Sequence, residues 1–248
     1  MAGFTGAPPI VTDGLVFAVD AANYESYTSG SDTWNNIVDT TTSASIENST
    51  SYTSNYAGGF VFDGTDDYMN VNSAQDIFNQ TWSNGLTIQT IISMPLDMRT
   101  ASDGMCLLVR SNGGADTNSF NWSLQTHGST SHVNYRKLRF WITSHGSTNV
   151  YSTTQLTETR PYICAVTYDR TISPSPIKIY VDGQLENTRT NTITPTTATR
   201  NIFIGGGGSA FGGWEFDGTI YSINCYDRAL SSTEVLQNYN ALKSRFNL

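Results

Sequence analysis

The sequence predicts an all-β domain that carries one helix, at its C-terminus. Three observations predict it. Apolar and β-branched residues recur at a two-residue period in short runs along the whole chain, as half-buried strands require. Asp-Gly pairs at 63–64 and 182–183 punctuate those runs as tight turns do. The period changes to that of a helix only beyond residue 230. A length of 248 residues suits one large sandwich-type domain and is ample to bury a core.

Taken in order, residues 1–12 read as an extended arm and residues 13–248 as a single domain. Pro8 and Pro9 favour polyproline geometry. Phe4, Pro8, Pro9 and Ile10 are the candidate contacts through which the arm docks on a neighbour. Residues 15–20 form a strand. Trp34 reads as a core plug, with stacking on a ligand as the alternative. Residues 40–56 are rich in Ser and Thr and read as a long exposed connection or weak edge strands. Two short strands flank the Asp63-Gly64 turn.

In residues 86–94, Leu86, Ile88, Thr90, Ile92 and Met94 share one strand face, and Thr87, Gln89, Ile91 and Ser93 the other. Residues 105–109 form an apolar run that suits a central strand. Phe120, Trp122 and Leu124 point together, inward. Leu138, Phe140 and Ile142 make a further core face, so Arg139, Trp141 and Thr143 project the other way. Residues 161–168 and 177–185 are strands, and Asp182-Gly183 sets a tight hairpin. Residues 201–204 lead into four glycines, which lack the Lys-Ser/Thr and the helix of a phosphate loop.

In residues 218–226, Tyr221, Ile223 and Cys225 alternate onto one face. Gly218 lets another backbone approach closely. Ser231 then suits an N-cap, and Glu234 at the third helical position completes a capping box. Leu230 and Val235 form a hydrophobic staple. Val235, Tyr239, Leu242 and Phe246 follow at helical spacing.

Several of these residues carry a family resemblance. Phe216-x-Gly218-x-Ile220-x-x-Ile223-x-Cys225-Tyr226-x-Arg228-Ala229-Leu230-Ser231-x-x-Glu234 resembles the closing motif of laminin-G-like, concanavalin A-type domains. The segment Phe62-Asp63-Gly64-Thr65-Asp66-Asp67-Tyr68 and the run Tyr180-Val181-Asp182-Gly183 are similar to that family as well. The tail Gln237-Asn238-Tyr239-Asn240-Ala241-Leu242-Lys243-x-Arg245-Phe246 resembles versions found in tailed-phage structural proteins. The resemblance implies a concanavalin A-like jelly-roll sandwich of two antiparallel sheets with a short C-terminal helix. It is specific for fold and weak for function, because the fold serves lectins, glycan hydrolases and structural modules alike.

Composition narrows the function. Lys plus Arg number 13 and Asp plus Glu 21, a formal charge of −8 and a sequence pI near 4.7. That argues against nucleic-acid or anionic-membrane binding, which needs a basic patch. The one compact basic run, Arg136-Lys137-Leu138-Arg139, reads as solvent-facing positions of a strand. Cys106, Cys164 and Cys225 lie in apolar runs without metal or redox spacing and read as buried free thiols. With no signal peptide after Met1 and no apolar run of membrane length, synthesis in a host cytoplasm and no membrane insertion are expected.

Candidate sites are few. Trp141 beside Arg139 and Thr143 is the most ligand-like set, because a flat aromatic stacks on a sugar face or anchors a protein partner. Cover by another strand, loop or subunit is the alternative. Asp63, Asp66 and Asp67 are candidate calcium ligands, since hard cations take clustered carboxylate oxygens. Their spacing is not that of an EF-hand, and the solvated-turn reading is preferred. No other cofactor is expected. His127, His132 and His145 lack metal spacing. Glycosidases need two carboxylates across the scissile bond, and the nearest pair, Glu215 and Asp217, has no second Glu in register.

The expected protein is therefore a non-enzymatic virion structural component, either a capsid decoration or a tail or fibre part. It would sit on the virion surface with other virion proteins, in a homo-oligomer or symmetric assembly, with host-surface adhesion as a further role. A carbohydrate-binding receptor-recognition module is the alternative, and a glycan hydrolase is less favoured.

Overall fold

The computed structural model describes residues 8–71, 84–97, 104–111, 120–142, 148–157, 160–192, 201–206 and 214–248. Its strands are β1 (Leu15–Asp20), β2 (Thr33–Asn35), β3 (Ser43–Glu47), β4 (Ser51–Thr53), β5 (Gly59–Asp63), β6 (Tyr68–Val71), β7 (Gly85–Ser93), β8 (Gly104–Ser111), β9 (Phe120–His127), β10 (Lys137–Ile142), β11 (Thr148–Gln155), β12 (Tyr162–Asp169), β13 (Ser175–Val181), β14 (Gln184–Asn191), β15 (Asn201–Ile204) and β16 (Asp217–Tyr226). Helix α1 (Ser232–Leu242) follows. The strands build two 8-stranded sheets. The first runs β14-β13-β12-β7-β16-β5-β4, with β1 also on β16; the second runs β11-β10-β9-β8-β15-β6-β3-β2. Among the described residues the pairings are antiparallel. The sandwich of two antiparallel sheets with a short C-terminal helix is thus as the sequence predicts.

Strand β16 is long enough to serve two neighbours along one edge. Its residues 217–220 pair with β5, and its residues 222–226 pair with β1. Gly218 permits this course: with φ of 151°, a Cβ there would stand 2.4 Å from the Ser93 carbonyl oxygen. Asp182 and Gly183, both at positive φ, make the β13–β14 hairpin. Asp63-Gly64 does something different. Strand β5 belongs to the first sheet and β6 to the second, so that turn carries the chain across the sandwich.

The inward faces of the sheets meet in one core. Phe60, Ile88, Trp122, Leu124, Leu138 and Phe140 are among its residues. Trp34 is its plug, fully buried with its ring 4.8 Å from that of Phe60. Each such side chain stabilises the fold by roughly 1.5–3 kcal/mol through burial. All three cysteines are buried thiols that form no disulfide.

Two expectations are corrected. Tyr221 does not share a face with Ile223 and Cys225. The β16–β7 register shifts between Ile220 and Ser222, and one extra residue inverts side-chain parity. Ile220, Ile223 and Cys225 face the core, while Tyr221 turns outward onto Ile91, Ile163 and Phe246. The run 136–139 is also not a solvent face, since Arg136 and Arg139 are both buried. Arg136 donates to the carbonyl oxygens of Leu156 (2.8 Å), Pro95 (2.8 Å) and Met94 (3.4 Å). Its fork of donors ties two loops at one end of the sandwich, which a solvated lysine-like charge would not do.

Helix α1 covers the outer face of the first sheet. The capping box forms: the Ser231 hydroxyl accepts from the Glu234 amide, and the Glu234 carboxylate accepts from the Ser231 amide at 2.8 Å. Arg228 grips the same carboxylate in a bidentate pair at 2.6 and 3.1 Å. This pair holds the Glu234 carboxyl down at about 2, against burial. Leu230 and Val235 share an apolar cluster with Val11, Ala165, Tyr180 and Tyr226.

The end of the N-terminal arm, from Pro9 to Val11, bonds to this helix and to β16. Gln237 Nε2 donates to the Pro9 carbonyl oxygen at 2.8 Å. The Val11 amide donates to Asn238 Oδ1 at 2.8 Å, and the Tyr226 hydroxyl donates to the Val11 carbonyl at 3.0 Å. An extended backbone must place its polar groups somewhere, and α1 supplies the partners. Pro8 and Pro9 are exposed and Ile10 is half-buried; Phe4 lies outside the described residues.

The edges of the two sheets are stitched on one side. Glu186 on β14 accepts from the amides of Thr153 (2.9 Å) and Thr154 (2.8 Å) on β11, and from both their hydroxyls. Although burial opposes it, these hydrogen bonds hold the Glu186 carboxyl below its ordinary value. Asn187 and Arg189 donate to the carbonyl oxygens of Tyr151 and Asn149. Strand β11 is thereby fixed as one border of the second sheet's outer face.

Candidate recognition face and acidic turn

Antiparallel register aligns outward residues of the second sheet in rows. Asn70, Phe203, Val109, Ser123, Trp141 and Asn149 line up across β6, β15, β8, β9, β10 and β11. Cys106, Gln125, Arg139 and Tyr151 form the adjacent row across β8 to β11. Their chain neighbours Met69, Ile202, Leu108, Trp122, Leu124 and Phe140 are in the core, so these side chains face away from it.

Trp141 therefore projects outward, as the strand pattern predicts, but it is not an open platform. It is only 7% exposed, and its ring stacks on Trp214 with centroids 6.1 Å apart and planes 18° from parallel. The backbone brings Trp214 there: the Cys106 amide donates to the Trp214 carbonyl at 2.8 Å, and the Phe216 amide to that of Gly205 at 2.7 Å. Stacked indoles bury a large apolar area, which outweighs leaving Trp141 in water. Arg139 is held on the same face. Its guanidinium lies 4.8 Å from the Trp141 ring and 5.7 Å from that of Tyr151, and its Nε donates to Asn149 Oδ1 at 2.9 Å. Thr143 lies outside the described residues.

This covered face contains buried polar atoms that have no hydrogen-bond partner among the described residues: Ser123 Oγ, Gln125 Oε1 and Asn70 Oδ1. Gln125 spends only its amide nitrogen, on Cys106 Sγ at 3.4 Å. Each unpaired buried group costs on the order of 1–3 kcal/mol.

The other cluster is acidic. Asp63, Asp66 and Asp67 bring one oxygen each within 4.8 Å of the others at the β5–β6 turn. Asp63 and Asp66 are exposed, and Asp67 is buried. Asp67 Oδ2 accepts from the Asp63 amide at 3.0 Å, and Asp63 Oδ1 accepts from the Thr65 amide at 2.7 Å. Burial, with the Asp63 and Asp66 charges beside it, pushes the Asp67 carboxyl above its ordinary value despite the Asp63 and Ser49 amides. Asp217 lies opposite Asp63 in the β5–β16 pairing, and Glu215 is buried two residues earlier. His127 and His132 stack with centroids 3.9 Å apart, each Nδ1 accepting from a backbone amide nearby; His145 lies outside the described residues.

Of the expected site residues, the structure brings Arg139 and Trp141 together and gathers the three aspartates. It adds Ser123, Gln125, Tyr151 and Trp214. Strand parity could have found Ser123 and Gln125, which alternate with Trp122 and Leu124. Trp214 had no signal beyond being an indole beside a glycine run.

Two packed antiparallel sheets with an aromatic outer face define a lectin-like jelly roll. The chain belongs to the Concanavalin A-like lectin/glucanases superfamily, matching its Laminin_G_3 family over residues 63–236. Comparison with curated protein sequences gives no match. Among solved structures, it is similar to the binding domain of botulinum neurotoxin DC in complex with SialylT (TM-score 0.67, 11% identity, 93% of this chain and 52% of that one). It is similar to the binding domain of Paraclostridial Mosquitocidal Protein 1 (TM-score 0.66, 12% identity, 92% and 52%). It also resembles Trypanosoma rangeli sialidase in complex with sialic acid (TM-score 0.66, 17% identity, 95% and 34%). The chain thus spans about half the length of the toxin domains and a third of the sialidase. At these identities the likeness is one of fold.

Proposed function

We propose that this chain is a non-enzymatic recognition and assembly module that meets its partner on the outer face of the second sheet. The observation that carries this reading is the juxtaposition of stacked Trp141 and Trp214 with buried, unpartnered Ser123 Oγ and Gln125 Oε1. Aromatic planes beside unspent hydrogen-bonding atoms are what a polar ligand with an apolar face requires. We place the module on a virion surface, as a capsid decoration or a tail or fibre component. The phage-like tail motif from Gln237 to Phe246 supports that setting. A symmetric assembly with other virion proteins then supplies avidity.

A second reading is carbohydrate recognition as the module's main task. Similar structures that hold SialylT or sialic acid favour it, and Arg139 on the same face offers a cation to an acidic sugar. Hydrolysis is disfavoured, because the nearest carboxylate pair in sequence, Glu215 and Asp217, has no second Glu in register.

The test is binding of the recombinant chain to immobilised glycans, sialosides included, and to purified virion shells, with reducing-sugar release measured in parallel. Wild type should bind one of these without turnover. Trp141→Ala and Trp214→Ala should each weaken binding at least tenfold. Unchanged binding in both variants would overturn the assigned face, and turnover would overturn the non-enzymatic reading.

A further inference from the structure

We propose that a cavity on the outer face of the first sheet, at the start of α1, binds a carboxylate with an aliphatic group beside it, as in an N-acylated amino acid or the end of a peptide chain. The cavity lies on the opposite sheet from the proposed recognition face and does not depend on that reading. Its volume of about 450 Å³ falls in the range of small-ligand pockets.

Strand pairing builds its floor. Thr167 on β12 lies opposite Lys178 on β13, and Asp169 and Pro176, each two residues away along its strand, share that face. Their chain neighbours Val166, Tyr168, Ile177 and Ile179 are in the core, so this face points outward. Ile172 and residues 229–232, which lead into α1, complete the lining.

Thr167 is 3% exposed and lines the cavity, yet its hydroxyl makes no hydrogen bond among the described residues. Its neighbour in the same row shows the contrast. Thr87, opposite Thr167 on β7, has its hydroxyl matched twice, by the Arg228 carbonyl and the Leu230 amide. The matching thus ends where the cavity begins. A buried hydroxyl without a partner is costly, and a ligand oxygen removes that cost.

Lys178 sets the charge of the ligand. It is half-buried and makes no ion pair or hydrogen bond among the described residues. One carboxylate can accept from its ammonium and from the Thr167 hydroxyl together. The positive end of the α1 dipole, at the rim, adds to that charge. The Glu234 carboxylate there does not cancel it, because Arg228 already grips it. Asp169 sets the rest of the ligand. Its Oδ1 accepts from the Thr171 amide at 2.9 Å and hydroxyl at 2.6 Å, which leaves Oδ2 for an N–H of the ligand. Ile172, 53% exposed, and Pro176 supply apolar surface. With two carboxylates in the lining and one unpaired cation, a multiply charged group such as phosphate is disfavoured.

The experiment is calorimetric titration of the full chain with N-acetyl-leucine, with its uncharged amide and with acetyl-Gly-Gly-Leu. The expected dissociation constant for the acid is on the order of 1 mM, as for a small ligand of modest efficiency, and the amide should bind at least tenfold more weakly. Tighter binding of the tripeptide supports a peptide end as the source, and equal binding supports a single amino acid. Lys178→Met and Thr167→Val keep most of each side chain's volume and should each weaken binding of the acid at least tenfold, whereas Lys178→Arg should retain it. If Thr167→Val does not fold, Lys178→Met decides, because Lys178 is only half-buried. No heat from the acid up to about 10 mM, tenfold above that constant, would overturn the proposal. So would equal affinity for acid and amide, inorganic phosphate binding as tightly as the acid, or unchanged affinity in the folded variants.

Discussion

The two outer faces of the sandwich are covered in opposite ways. On the first sheet the cover is α1 with the arm, and its buried polar groups are matched. Asn238, 0% exposed, donates to Gln89 Oε1 and to the Tyr226 hydroxyl at 2.9 Å each and accepts from Val11. Thr87 Oγ1 donates to the Arg228 carbonyl and accepts from the Leu230 amide, both at 2.8 Å. Only Gln89 Nε2 among these groups lacks a partner. On the second sheet an indole, Trp214, covers Trp141, and three polar atoms in the rows beside it are unpaired. The first face spends nearly all of its buried hydrogen-bonding groups within the chain. The second leaves several unspent, and the proposed recognition rests on that difference.

The largest effect should come from breaking the matched side. Asn238→Leu keeps the volume and strips the Val11 amide, Gln89 Oε1 and the Tyr226 hydroxyl of a partner at once. Unpaired buried groups cost about 1–3 kcal/mol each, so we expect a loss of roughly 3 kcal/mol in urea unfolding. The arm should also become sensitive to protease near Pro9. A loss below about 1 kcal/mol would show that the first face is no better matched than the second.

A smaller effect is expected at the helix start. Glu234→Ala removes the reciprocal cap and the Arg228 pair, together about 1–2 kcal/mol. Because Arg228 holds the folded-state carboxyl at about 2 against an ordinary 4.5, folding favours the charged form. That contribution is complete above about pH 4.5 and fades as pH falls toward 2. Unfolding midpoints of wild type and variant should therefore draw together across that window. A gap that stays constant there would separate the cap from the ion pair.

The matched face was largely legible in the sequence, and the unmatched face was not. The capping box, the staple and the helical stripe from Val235 to Phe246 are local signals, decided within a few residues. Core faces such as Leu138-Phe140-Ile142 follow from a period of two. What failed was non-local. Tyr221 was misassigned because a bulge is invisible until β7 is placed beside β16. Arg136 and Arg139 looked solvated because partners such as the Pro95 carbonyl and the Tyr151 ring come from other strands and loops. Trp141 was placed on the correct side of β10, but its cover is about 70 residues away in sequence. The Asp63–Asp67 turn was found by composition alone; the burial of Asp67 needed the fold.

The smallest effect is the sharpest test of the comparison, because its sign is unusual. Ser123→Ala deletes a fully buried hydroxyl that has no partner. Truncating a buried residue ordinarily destabilises, through lost contacts. Here the hydroxyl's unmet desolvation cost is removed, while one atom of volume is lost. The two terms are of similar size and opposite sign, so stability should hold or rise by up to about 1 kcal/mol. Affinity for whatever ligand the face takes should fall at the same time, because the atom reserved for it is gone. Thr87→Ala on the outer face of the first sheet is the matched control. Its hydroxyl donates to the Arg228 carbonyl and accepts from the Leu230 amide, both at 2.8 Å, and its loss should destabilise by about 1 kcal/mol or more. If Ser123→Ala destabilises as much as Thr87→Ala, the two faces are alike, and the second sheet's unpaired atoms do not mark a recognition surface.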